Sequence, residues 1–119
     1  MIPKFRAWDK EKKIIDIVDG IKFDEDEVWE ISFPGDCWRD ASNYVLMQST
    51  GLTDKNGIEI FEGDIINCRD LWLDGDRRKT NKQIVKYDSG MFSAGYVSLR
   101  TNNSTSEIIG NIYENPELL

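Results

Sequence analysis

The sequence predicts a mostly β protein (β or α+β) whose strands close into a small barrel or roll, and three observations carry that expectation. Nowhere does an apolar 3.6-residue repeat hold for 12 residues, so no long amphipathic helix is expected. Runs rich in β-branched and aromatic residues recur about every 8 to 15 positions between glycine-bearing turns, the spacing of short antiparallel strands. Asn56-Gly57 stands between two such runs. Asn-Gly is the strongest short hairpin signal, because both residues tolerate the positive φ of a type I′ turn.

Taken in order, Lys4–Trp8 and Ile14–Val18 flank the charged stretch Asp9–Lys13 and read as a hairpin. After Gly20 comes the alternating triplet Ile21-Lys22-Phe23, then the acidic block Asp24–Glu27. In Val28–Phe33, period-two placement puts Trp29, Ile31 and Phe33 on one face of a half-buried strand. Pro34-Gly35 stops it, and Asp36–Asn43 reads as a loop or one short turn. Tyr44–Thr50 is strand-like and leads through Gly51 to the turn Asp54–Gly57, with Ile58–Phe61 beyond it. Glu62-Gly63-Asp64 turns into Ile65–Cys68. The stretch Arg69–Asn81 reads as a long loop, and Gln83–Tyr87 and Met91–Ala94 as a further hairpin around Gly90. Tyr96–Leu99 and Glu107–Ile112 complete the strands, and Asn115-Pro116 marks a terminal turn. Gly51, Gly57, Gly63, Gly90 and Gly110 fall where turns need positive φ or backbones approach closely. Asp54 and Asp64, beside turn glycines, are placed to cap backbone N–H groups.

Charge is uneven: residues 14–43 carry −7 and residues 69–86 carry +3, within a chain of net charge −7. The shift at Asn43/Tyr44 predicts an N-terminal β-hairpin subdomain over 1–43 and a barrel over 44–119, together one domain of 119 residues.

Absences narrow the chemistry. With no histidine, the sequence offers no Ser-His-Asp or Cys-His pair and no imidazole acid/base. Neither a phosphate-binding loop nor a dinucleotide-binding glycine turn is present. The remaining acids, Asp24–Glu27 and Asp70, Asp74 and Asp76, are badly spaced for a metal and read as solvated charge. No catalytic residue, cofactor or metal is therefore expected, and the chain reads as a non-enzyme. No apolar run reaches membrane-span length, and the start shows no signal-like stretch, so no membrane partner and a cytoplasmic location are expected. Cys37 and Cys68 fit no metal spacing and read as buried thiols.

Three stretches, taken together, resemble the YopX family of small phage and prophage proteins: Lys4-Phe5-Arg6-Ala7-Trp8-Asp9; Leu46 to Gly57 with Ile60 to Ile66; and Ile108 to Leu119. The resemblance spans the chain, with variable joints at 19–43 and 69–82. Ser49 departs from the aromatic or apolar residue usual there. The resemblance implies an SH3-like barrel in the C-terminal part and a phage-derived origin, which makes the expected cytoplasm that of a host cell, and it carries over no site residues.

The functional expectation is a protein-binding, self-associating phage accessory module, its partner a second copy or a host or phage protein. Trp29, Trp38 and Trp72 are the candidate interface tryptophans. The expected interaction surface lies in the 69–82 loop: Trp72 and Leu73 as apolar anchor, with Arg77, Arg78 and Lys79 meeting the acidic 14–43 segment of a neighbouring copy. Two readings compete. One is nucleic-acid binding through the basic 69–86 stretch, which the net charge of −7 disfavours. The other is an acidic DNA mimic using residues 16–40 to inhibit a host protein.

Overall fold

The structure is a computed structural model and describes residues 4–69, 80–88, 90–94, 97–99 and 103–119. They group into two units, Met1–Ser49 and Thr50–Leu119. The fold is mostly β, with antiparallel sheets that curl as in a small barrel.

In the first unit, β1 (Phe5–Asp9) and β2 (Ile14–Val18) pair with Ala7 opposite Asp16 and Trp8 opposite Ile15. Their turn forms as the sequence predicts. The Asp9 carboxylate accepts the N–H groups of Glu11 at 2.9 Å and Lys12 at 3.0 Å, and the Lys13 N–H reaches the Asp9 carbonyl at 2.8 Å. On its other side β1 pairs with the start of β6 (Tyr44–Thr53), leaving β2 as the sheet's edge. A second sheet holds β3 (Gly20–Asp24), β4 (Glu27–Ser32) and the short β5 (Arg39–Asp40). The acidic block turns the β3–β4 hairpin, with Glu25 at φ 55°, and four carboxylates at a solvated turn need no partner. Ala7, Val18 and Ile31 form the unit's core, with Phe5, Ile21, Val28 and Leu46 packed on it.

Strand β4 corrects the alternation expected from sequence. Glu30 pairs with Lys22 but Val28 pairs with Phe23, so Trp29 is an extra residue opposite no partner. Such a bulge shifts the faces by one. Val28 joins Ile31 at the core, whereas Trp29 is 60% exposed.

In the second unit, β8 (Asp64–Arg69), β9 (Thr80–Asp88), β10 (Met91–Ala94), β11 (Val97–Ser98) and β12 (Glu107–Asn111) form one antiparallel sheet in the order β11-β10-β9-β8-β12. Ile60, Ile66, Cys68, Val85, Ala94 and Leu99 make its core. Arg69 pairs with Thr80. The strands thus extend into the stretch read as a loop, and the connection is residues 70–79, outside the described residues.

β7 (Glu59–Phe61) lies beside β6, joined to it by the Asn-Gly turn. That turn is not type I′: Gly57 has φ 80°, but Asn56 is not in the left-handed region. The Gly57 N–H bonds the Asp54 carbonyl at 3.0 Å and the Asp54 N–H bonds the Ile58 carbonyl at 2.9 Å, a three-residue loop needing one left-handed residue. The Asp54 side chain selects it. Its Oδ1 accepts from Asn56 N–H at 2.9 Å and Ile58 N–H at 3.0 Å, and its Oδ2 accepts from Ile108 N–H of β12 at 3.0 Å. At Gly110 the side chain of Asn115 folds over the backbone, and a Cβ would meet its oxygen at 2.5 Å.

Both cysteines are free, Cys68 buried and Cys37 exposed, so the buried-thiol reading holds only for Cys68. Burial raises the Cys68 thiol to about 11. A thiol reagent at neutral pH is expected to modify one cysteine per native chain and both after unfolding, because only an accessible thiolate reacts. Mass spectrometry checks this, and two modifications in the native protein would contradict the burial of Cys68.

Candidate functional site

Cavities open among the described residues of both units. The first, of about 340 Å³, lies within the Met1–Ser49 unit between the β2 edge and the segment that follows β4. Strand β2 contributes Ile14, Asp16 and Ile17, and the opposite wall carries Phe33, Pro34, Asp36 and Arg39, with Ala7, Asp9, Lys12 and Tyr44 also lining the space. The register puts Ile14, Asp16, Ala7, Asp9 and Tyr44 on one face of the sheet. The rings of Phe33 and Tyr44 pack tilted at 49°, their centroids 5.3 Å apart.

Most charges around this groove already have partners. Arg39 pairs with Asp36 at 2.7 Å. The Arg39 hydrogen bond, helped by the Cys37 N–H, holds the Asp36 carboxyl below its ordinary range, and Asp36 in turn raises Arg39. The Lys12 N–H is the main reason that Asp9 is also lowered, against the opposing effect of burial. Burial, reinforced by the Asp9 charge, raises the Tyr44 phenol. Asp16 is exposed on β2 and has no hydrogen bond or ion pair among the described residues.

The second cavity, of about 580 Å³, belongs to the Thr50–Leu119 unit. Ile65 and Ile84, paired across β8 and β9, form its floor, with Lys82 and Lys86 on either side and Glu117 to Leu119 as a wall. The two lysines are four positions apart and so share a face of the strand.

The residues expected to form the interaction surface, Trp72, Leu73, Arg77, Arg78 and Lys79, lie outside the described residues, as do Asp70, Asp74 and Asp76. Among the described residues, no three acidic or cysteine side chains converge to hold a metal, and no helix is long and apolar enough to cross a membrane. Trp38 is 40% exposed and carries the Lys22 ammonium 4.2 Å from its ring centroid, and Lys22 also faces Glu30 at 3.9 Å. Sequence reasoning missed the exposed Ile14, Ile17 and Phe23. A signal existed for the first two: Ile14-Ile15-Asp16-Ile17-Val18 is apolar on both faces, more than one buried face requires.

Curled antiparallel sheets, tight turns and surface grooves define a small all-β protein. A family model described as YopX protein matches residues 4–119, and the chain belongs to the YopX family. The crystal structure of protein EF1440 from Enterococcus faecalis is similar over 100% of this chain and 99% of that one, with 34% identity and a TM-score of 0.78. The crystal structure of protein yopX from Bacillus subtilis shares the fold over 98% of this chain and 97% of that one, at 21% identity and a TM-score of 0.67. No curated protein matches the chain.

Proposed function

We propose that the chain is a non-enzymatic, protein-binding module of a phage or prophage that self-associates in the host cytoplasm. The observation that carries this reading is the pair Phe23 and Trp29, 66% and 60% exposed on neighbouring strands at the β4 bulge. An exposed aromatic pair at a bulged sheet end is costly to leave in water, and tryptophan is enriched at interface hot spots. The β3 edge beside it adds unpaired backbone groups. Light scattering after size exclusion tests the reading: the wild-type mass is expected to be a multiple of 13.8 kDa, and a Phe23→Ser, Trp29→Ser chain to run at 13.8 kDa. A wild type that stays monomeric at every concentration overturns self-association. A double variant that keeps the wild-type mass overturns this patch as the contact.

Nucleic-acid binding has one supporting feature, the Lys82 and Lys86 pair beside the second cavity, set against Glu117 lining the same cavity and the net charge of −7. A salt-dependent gel shift separates it from the first reading. The DNA-mimic reading loses some free charge, because Glu30 and Asp36 are paired with Lys22 and Arg39.

A further inference from the structure

The geometry points to the groove along β2 as a docking site for an extended cationic peptide segment of a partner protein, added as a further strand beside β2. This site is separate from the Phe23 and Trp29 patch and does not depend on it. Three features of the first unit meet there. Strand β2 is the edge of its sheet, and an edge strand keeps a row of backbone donors and acceptors that an incoming chain can pair with. Two of its three exposed side chains are apolar, Ile14 at 46% beside Asp16 and Ile17 at 53% on the other face. The cavity beside it, about 340 Å³, falls within the range of about 300–1,000 Å³ in which side chains and small ligands are held.

Charge decides the occupant. Asp16 stands in the middle of β2 on the cavity side, flanked by Ile14 and walled by Phe33 and Pro34. Asp36 pairs with Arg39 and Asp9 accepts backbone N–H groups, so Asp16 is the carboxylate open to a newcomer, and the three carboxylates lining the cavity outnumber its two cations, Arg39 and Lys12. A second copy fits poorly. Antiparallel pairing of two β2 strands in the register that matches all five residues sets Asp16 opposite Asp16, and like charges directly opposed destabilise a strand pair. A lysine or arginine opposite Asp16 matches it instead. Its aliphatic stem lies along Ile14 and Phe33 while its charge meets the carboxylate, and apolar residues two positions away take the remaining groove. The surrounding segment 14–43, at −7, steers such a cation toward the edge.

The test measures fluorescence anisotropy of labelled nine-residue peptides alternating valine and threonine, with lysine, glutamine or glutamate at the centre, against the full chain. The lysine peptide is expected to saturate, and glutamate in its place to weaken binding by about five- to tenfold, as reversal of one exposed cross-strand pair implies. Asp16→Lys, a change at an exposed side chain, should invert the preference so that the glutamate peptide binds better. A lysine peptide N-methylated at alternate residues, along the edge that would face β2, should lose binding, since it keeps the charge but not the strand hydrogen bonds. The proposal is overturned if the lysine peptide does not bind, if Asp16→Lys leaves the preference unchanged, or if binding survives N-methylation of each edge in turn. Because Phe23→Ser, Trp29→Ser leaves β2 intact, peptide binding by that variant stands or falls independently of self-association.

Discussion

Replacing Asp54 with alanine is expected to destabilise the fold by about 3 kcal/mol, the cost of stranding several backbone donors that now bond a carboxylate. Three N–H groups are at stake, and they belong to two places far apart in the chain: Asn56 and Ile58 in the β6–β7 turn, and Ile108 in β12. The same turn is tied again by Lys55 N–H to the Ser106 carbonyl at 2.9 Å and by Asn103 Nδ2 to the Thr53 carbonyl at 2.7 Å. An asparagine in its place keeps one acceptor oxygen and presents an amide N–H to the remaining donor side, so Asp54→Asn should cost about half as much. Urea unfolding followed by circular dichroism reads both values. Burial pushes the Asp54 carboxyl upward, but the three backbone donors outweigh it and its pKa lies below 3.8. A carboxylate lowered in the folded state contributes stability above the unfolded value, and that contribution is lost as pH falls through the folded one. The gap between wild type and Asp54→Ala should therefore be constant near neutral pH and shrink below about pH 4. A gap that is small at pH 7, or that widens in acid, contradicts the staple.

Asp54 also shows where sequence reading succeeds and where it stops. Its local bonds reach two and four residues ahead, and those of Asp9 in the first hairpin are just as short in range. Chemistry confined to a few residues is legible in the chain, so the β1–β2 and β9–β10 hairpins and most of the turn glycines are foreseeable. The bond from Ile108 crosses 54 positions, and no local pattern announces it. The position of the Asn-Gly turn is legible but its type is not, because Asn-Gly suits a two-residue turn as well as a three-residue loop, and the loop places the Asp54 carboxylate where it also accepts from the distant Ile108 N–H. Bulges are invisible for a different reason. A two-residue period cannot register the extra residue at Trp29, nor the one at Ile109, where Ile108 pairs with Ile66 but Gly110 with Ile65. Of the candidate surfaces, the expected one at 72–79 lies outside the described residues, whereas the β2 groove joins residues from 7 to 44 that only the packing of two sheets brings together.

Substitutions in β4 separate the bulged register from the regular one that the pattern suggests. Ile31 is 0% exposed in the core with Ala7 and Val18, and Ile31→Ala should cost about 3 kcal/mol through lost burial and the cavity left behind. At roughly 4 °C per kcal/mol for a chain of this size, that is a fall of about 12 °C in Tm. Trp29 is two positions earlier and would share the Ile31 face in an unbroken strand, where truncating so large a side chain would cost as much or more. At 60% exposure, Trp29→Ala should instead stay within about 0.5 kcal/mol of wild type. Val28, displaced onto the core side by the bulge, falls between them at about 1–2 kcal/mol for Val28→Ala, since it is only partly buried. The series is measured by circular dichroism at a dilution where the wild type is a single species, so that any contribution of Trp29 to self-association does not enter. The order Ile31, Val28, Trp29 identifies the bulge; a Trp29 effect equal to that of Ile31, with Val28 silent, would restore simple alternation and remove the exposed aromatic pair on which self-association rests.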